Sequence, residues 1–212
     1  MAERSEARMA EHFYEPKNGH GLNHDPFNAI IGPRPIGWVS TRGADGSVNL
    51  APYSFFNAFN YHPPIIGFAS NGAKDSLRNV RETGEFVWNL VTRDLFVAMN
   101  ESSAPLAYGV SEFARAGLIE ASAKLVKAPM VAEARVKFEC RVADIVQLKS
   151  AAGGVVESWL VLGEVVGVHI DDALLVGGVF DTFGAHIMLR AGGASAYVEV
   201  LPEVRRDLAR PG

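Results

Sequence analysis

The sequence predicts a mainly β domain with short helices, its strands closed into a barrel. Three observations carry this expectation. Short β-prone runs recur along most of the chain, helical runs are few, and no regular βαβ alternation links them. The length of 212 residues fits one domain, and a composition 48% hydrophobic and 21% charged can build its core.

Residues 1–26 read as an N-terminal arm and residues 27–212 as the domain, with a flap at its C-terminal end. The arm starts with a short helix from Glu3 to His12, then a Pro-, Gly- and Asn-bearing stretch from Glu15 to Pro26. Pro35–Thr41 is apolar and β-prone, Arg42–Gly46 supplies turn chemistry, and Val48–Phe59 resumes as a strand. Asp45-Gly46 between two such runs is a hairpin signal. Pro63-Pro64 stops that strand, and Ile65–Ser70 is short and buried. Lys74–Thr83 reads as a helix ending at Gly84, a residue suited to the left-handed position after a helix. Glu85–Val91 is again a strand and Arg93–Glu101 a helix. Two long strands, Arg135–Leu148 and Glu157–Ile170, flank Ser150–Gly154; their apolar stretches fit strands covered on both faces.

A net charge of −4 gives no broad positive field to gather nucleic acid or an anionic membrane, so neither is an expected partner. No apolar run has the length to cross a bilayer. The single Cys140 precludes an internal disulfide and fits a reducing compartment, and the charged N-terminus lacks a secretory apolar segment; a cytoplasmic protein is expected.

Two blocks carry chemistry. The first is Arg34-Pro-Ile-Gly-Trp-Val-Ser-Thr41 with Asn49-Leu-Ala-Pro-Tyr-Ser-Phe-Phe-Asn57. Ser40, Thr41, Ser54 and Asn57 offer hydrogen bonds, while Trp38, Phe55 and Phe56 offer flat apolar surface. A flat heteroaromatic ligand with polar edges needs that combination. An ordinary alternating strand has it too, and on composition alone the ordinary strand leads. The second block is Ser70-Asn-Gly-Ala-Lys-Asp-Ser76, a small-residue loop opening a helix. Free N–H groups, the helix dipole and Lys74 would favour a phosphate there. A simple cap from Ser70 or Asn71 with a solvated Lys74 is the commoner outcome.

The order RPIGWVST, DG, NLAPYSFFN, PP, KDSLRN, ETGEFVWNL, AMNESSAP, EFARAGL, VKAPMVAEA, FECRV resembles the flavin reductase-like family of FMN-binding split β-barrels. The resemblance runs from about Asp25 to Ile170. It implies a six-stranded, Greek-key split barrel, non-covalent FMN, and a homodimer with the flavin near the subunit interface. It also implies hydride transfer from NAD(P)H to flavin, with reduced flavin passed to an acceptor or a partner flavin-dependent monooxygenase. A flavoredoxin-like electron carrier or a non-enzymatic FMN-binding module are the alternatives on the same barrel. By this resemblance the Trp38–Thr41 and Ser54–Asn57 strands meet the ring and ribityl chain, and Ser70, Lys74 and Ser76 meet the phosphate. Relatives often carry Arg-Leu-Gly-Gly and a nearby Tyr in a segment that closes over the flavin. Here Leu189-Arg-Ala-Gly-Gly193 and Tyr197 stand in that region, which places Arg190 and Tyr197 near the flavin.

No metal site is expected: His20 and His24 share an i, i+4 spacing but lie in a loop, where that spacing does not align the rings. His62, before Pro63, reads as a loop residue, and Cys140 as a small buried hydrophobe. The sequence assigns no catalytic residue, and hydride transfer to a bound flavin does not strictly require a protein acid or base.

Overall fold

The computed structural model describes residues 10–211. Five strands occupy the first half of the domain: β1 (Gly37–Arg42), β2 (Val48–Tyr53), β3 (Phe56–Asn60), β4 (Ile65–Asn71) and β5 (Glu85–Asn89). The two long strands are β6 (Val136–Lys149) and β7 (Val155–Ile170). They form one antiparallel sheet in the order β2-β1-β5-β6-β7-β4-β3. The outermost strands, β2 and β3, are joined by Ser54 and Phe55 alone. The sheet therefore curls until its two edges meet in one bent run of chain, and Ala69 N–H donates to Phe55 O at 2.9 Å across the join. The stretch Val48–Phe59, expected as one strand, is this bent run. Counted once, it makes the seven ladder segments a six-stranded barrel.

Register follows the pleat. β1 pairs β2 from Gly37↔Tyr53 to Arg42↔Val48 around the Asp45-Gly46 turn. Gly37 lets Phe56 pack directly on the strand, since a Cβ there would lie 2.9 Å from the Phe56 ring. Val39, Phe68, Phe86, Trp159 and Val161 fill the barrel. β1 is buried on its outer face too: Trp38 and Leu50 pack there with Met99 and Phe113 from the helices α3 (Phe96–Glu101) and α4 (Glu112–Ala116). Burial on both faces explains why Trp-Val-Ser-Thr shows no alternation of apolar and polar residues.

Between β4 and β5 the chain crosses the barrel through α2 (Asp75–Thr83). Leu77 and Val80 are driven into the core, and Gly84 ends the helix at φ +70°, its N–H on Val80 O. Lys74 is the N-cap residue rather than the first helical residue. Arg93–Glu101 begins as a 3-10 turn over Arg93–Leu95 before becoming α3. A short helix, α1 (Phe27–Ile30), precedes the barrel, and the hairpin β8 (Met188–Arg190) with β9 (Tyr197–Glu199) follows it. Of the helix expected over Glu3–His12, residues 10–12 are not helical and the remainder lies outside the described residues.

One buried carboxylate ties the long hairpin to the chain before it. Glu139 has no exposed surface. Its oxygens accept the backbone N–H groups of Lys124, Leu125 and Val126 at 2.9, 2.5 and 3.0 Å and meet His169 Nε2 at 2.6 Å. Burial pushes its pKa up, but the hydrogen bonds from His169 and the three N–H groups outweigh burial and hold it below the ordinary value. A depressed carboxylate stabilises above the unfolded pKa, and that contribution is lost as pH falls through the folded one. We expect Glu139→Ala to cost about 3 kcal/mol, because three N–H groups and a histidine lose their acceptor. In thermal unfolding at neutral pH the midpoint should fall by about 6–12 °C, with the gap to wild type narrowing in acid. An unchanged midpoint would remove the carboxylate from this role.

Candidate functional site

The bend that closes the sheet also forms a wall. Beside it lies a cavity of about 520 Å³, lined by Asn49 and Ala51–Phe55 of the bent strand. Lys74, Asp75 and Ser76 at the start of α2 line it as well, as do Ser102–Leu106 beyond α3 and Glu112 at the start of α4. A cavity of this size and mixed character suits a cofactor or small substrate.

Arg34 holds the bend. Its guanidinium is buried and donates to Ser54 O at 2.7 Å, Asn28 O at 2.7 Å and Ile31 O at 2.8 Å. It also lies over the Phe55 ring, 5.5 Å from the centroid. Burial and the nearby Arg190 both lower its pKa, yet a guanidinium begins so high that it stays charged.

Opposite the bend, helix α2 begins without a cap. No side chain of Lys74 caps it, and the N–H groups of Asp75, Ser76 and Leu77 have no partner among the described residues. Such a terminus carries partial positive charge and three donors aimed along the helix axis. Asn49 Nδ2 donates to Ser76 Oγ at 2.7 Å. The Tyr53 hydroxyl is buried beside Ser70 and Ser76 and has no well-formed hydrogen bond. Burial pushes its pKa up, against the two serine hydroxyls, so it remains a neutral donor. Lys74 brings the positive charge. Asp75, which would oppose it, is paired with Arg78 at 2.8 Å.

The third wall is clasped from outside. Tyr108 Oη donates to Asp45 Oδ2 at 2.5 Å and lies 3.0 Å from Ser47 Oγ, at the tip of the β1–β2 hairpin. The Arg78 guanidinium covers its ring at 3.8 Å. The hydrogen bonds from Ser47 and Tyr108 hold the Asp45 carboxyl down at about 2, so the clasp keeps its charge through the physiological range.

Four of the side chains expected from the sequence meet at this cavity: Ser54, Phe55, Lys74 and Ser76. Ser70 stands just behind it, its hydroxyl donating to Gly72 O at 2.9 Å and shaping the turn into α2. The remainder lie elsewhere in this chain. Trp38, Ser40 and Thr41 have no exposed surface and present no atoms to a ligand. Trp38 Nε1 instead donates to Ser102 Oγ at 2.9 Å and so fixes a cavity residue from behind. Ser40 Oγ donates to Pro129 O at 2.5 Å, and Thr41 Oγ1 accepts from Asn79 Nδ2 at 3.0 Å. Phe56 stacks on Trp88 with centroids 5.4 Å apart, and Asn57 sits exposed on β3 with its amide oxygen on Ala58 N–H. Arg190 covers the Tyr197 ring at 4.6 Å and donates to Ala196 O and Ala194 O, closing the β8–β9 loop on itself. That hairpin is joined to Arg34, whose backbone pairs with that of Arg190 at 2.9 Å, and to α3, where Tyr197 packs on Phe96.

The sequence blocks did not single out Asn49, Tyr53 or Glu112 as ligand-facing. Tyr53 and Asn49 sit inside a block already marked as chemical, whereas Glu112 reaches the cavity only because α4 packs against β2. His62 is in an exposed turn, and burial pushes the Cys140 thiol pKa up, which keeps it protonated. Among the described residues no group of three His, Cys, Asp or Glu side chains is arranged to hold a metal. No described helix is long and apolar enough to cross a membrane.

Comparison with known proteins places this geometry in a family. The family model for the flavin reductase like domain matches residues 32–182. An uncharacterized protein of Aquifex aeolicus is 38% identical over 151 residues, covering 69% of this chain and 74% of its own. Nitrilotriacetate monooxygenase component B from Bacillus cereus superposes with a TM-score of 0.84 at 27% identity, over 94% of this chain and 99% of that one. The 2-nitrobenzoate 2-nitroreductase of Pseudomonas fluorescens follows with a TM-score of 0.76 at 25% identity, over 88% and 91% of the two chains. The curled antiparallel barrel is the split-barrel fold of these structures, and the chain belongs to the flavin reductase-like family.

Proposed function

We propose that the chain binds FMN without a covalent bond and works as an NAD(P)H-dependent flavin oxidoreductase. The observation that carries this reading is the uncapped start of α2, where Lys74 and Ser76 converge on a cavity walled by Tyr53, Ser54 and Phe55. Donors gathered there, with no acceptor among the described residues for the helix N–H groups, fit a phosphate monoester. The bend offers an apolar ring and backbone polar groups, which suit the rest of a flavin. When bound, the flavin supplies the redox chemistry, accepting a hydride from the nicotinamide.

The chain's own residues bind and orient. Lys74 and the α2 terminus hold the phosphate end, Arg34 keeps the Ser54–Phe55 wall in place, and Tyr108 keeps the Ser102–Leu106 wall closed against water. The B. cereus neighbour is a component of a monooxygenase by its name, which supports a monooxygenase as the acceptor of reduced flavin here. The exposed apolar side chains Phe27, Ile30, Ile31, Phe59 and Tyr61, around the bend and β3, support a homodimer that covers them.

Lys74→Ala should weaken FMN roughly 10- to 100-fold while leaving riboflavin, which lacks the phosphate, nearly unchanged; fluorescence titration reads both. Equal losses for the two flavins would move the phosphate elsewhere. Tyr53→Phe should raise the stability of the ligand-free protein by about 1 kcal/mol, since it removes a buried unpaired hydroxyl, and leave FMN affinity close to wild type. A destabilised ligand-free variant would mean that the hydroxyl is already satisfied. Anaerobic mixing of the FMN-loaded protein with NADH or NADPH should bleach the oxidised-flavin band. If neither nucleotide does so, the protein is an electron carrier rather than a reductase.

A further inference from the structure

The cavity holds one group that a phosphate site does not need. Glu112 opens α4, is 7% exposed, and lines the cavity beside Asn49 and Tyr53. Its Oε2 accepts Leu50 N–H at 2.9 Å, and besides its own backbone N–H no further donor and no cation reaches the carboxylate among the described residues. Glu112 is one of the residues that line the cavity, so its carboxylate stands at the cavity wall. Burial pushes the carboxyl pKa up and the Asp75 carboxylate adds to this, while the backbone N–H groups of Leu50 and of Glu112 itself pull it down. A half-satisfied carboxyl in this place is costly, and it would repel a phosphate set against it. What it can take is a donor. The α2 terminus and Lys74 supply donors and positive charge, and the same cavity holds this acceptor. The ligand that matches both is anionic at one end and carries hydroxyl groups along its length.

We infer that Glu112 accepts a hydrogen bond from a hydroxyl of the ligand's polyol chain, making the cavity selective for phosphorylated sugar alcohols rather than for phosphate alone. This rests on the FMN reading above and assigns the ribityl chain a specific partner. Glu112 is a specificity residue: one carboxylate oxygen braces β2 through Leu50, and the other faces the ligand. The donating hydroxyl keeps its proton, so no proton is transferred.

The test compares three flavins with wild type and Glu112→Gln by fluorescence titration. The glutamine carbonyl can keep the Leu50 N–H bond, so the ligand-free thermal midpoint should stay close to wild type. FMN and riboflavin, which share the ribityl chain, should each weaken by roughly 10-fold, the loss expected for a charge-assisted hydrogen bond. An analogue of FMN lacking the contacted ribityl hydroxyl should bind wild type and variant equally. Tighter FMN binding by Glu112→Gln would identify the carboxylate as a repelling group and overturn the inference; so would a loss confined to FMN and absent with riboflavin. If the variant does not fold, the ligand side decides: a full series of mono-deoxyribityl FMN analogues that all bind wild type as well as FMN overturns it. Failure of the wild type to bind FMN or riboflavin would instead reject the underlying flavin reading.

Discussion

The barrel depends on one buried cation. A sheet whose two edges are halves of the same strand can close only if that strand turns sharply between them, and the turn falls at Ser54 and Phe55. A bend breaks the ladder and leaves carbonyl groups facing the interior, where each costs free energy unless it is paired. The Arg34 guanidinium supplies the donors. Its fork reaches Ser54 O and the two carbonyls that end α1, binding a bend, a helix end and, through its own backbone, the C-terminal hairpin. Lysine has the charge but not the planar fork. Because the bend is also a cavity wall, the contact that closes the barrel also shapes the site.

Much of the fold was legible because its signals are local. Asp45-Gly46 between β-prone runs made the first hairpin, Gly84 ended α2, and Ser150–Gly154 separated the two long strands. The bend was not legible as a bend. Nothing in Pro-Tyr-Ser-Phe-Phe breaks a strand by itself, and the turn exists because Arg34, twenty residues earlier, can pay for it. The split of Val48–Phe59 is thus a tertiary effect laid over a sequence with uniform strand character.

The site divides along the same line. Lys74 and Ser76 could be read directly, since a small-residue loop opening a helix places N–H groups and side chains together whatever surrounds them. Trp38, Ser40 and Thr41 could not, because a strand pattern gives the side a residue faces only when one face is wet. β1 is dry on both. Its hydroxyls therefore serve Pro129, Val87 and Asn79 rather than a ligand, and the aromatic and hydroxyl content that suggests a flavin wall is spent inside the core. Glu112 is the opposite case: an ordinary acidic residue at a helix start that becomes chemical only when α4 settles against β2.

The groups around the cavity share an energetic character. The α2 terminus is uncapped, Tyr53 has a buried hydroxyl without a good partner, and the Glu112 carboxylate has only backbone N–H donors. Each such defect costs roughly 1–3 kcal/mol when left unmet. They sit on three elements, α2, β2 and α4, that are otherwise joined through the core and the Tyr108 clasp. A ligand that meets the α2 terminus and Glu112 returns the cost of each and is bound by the folded chain alone, so occupancy and stability become linked. The same unmet groups select the ligand: an anion without hydroxyls leaves Glu112 repelling it, and a polyol without a phosphate leaves the helix terminus bare. Recognition at this site thus comes from interior polar groups that the fold itself leaves incomplete.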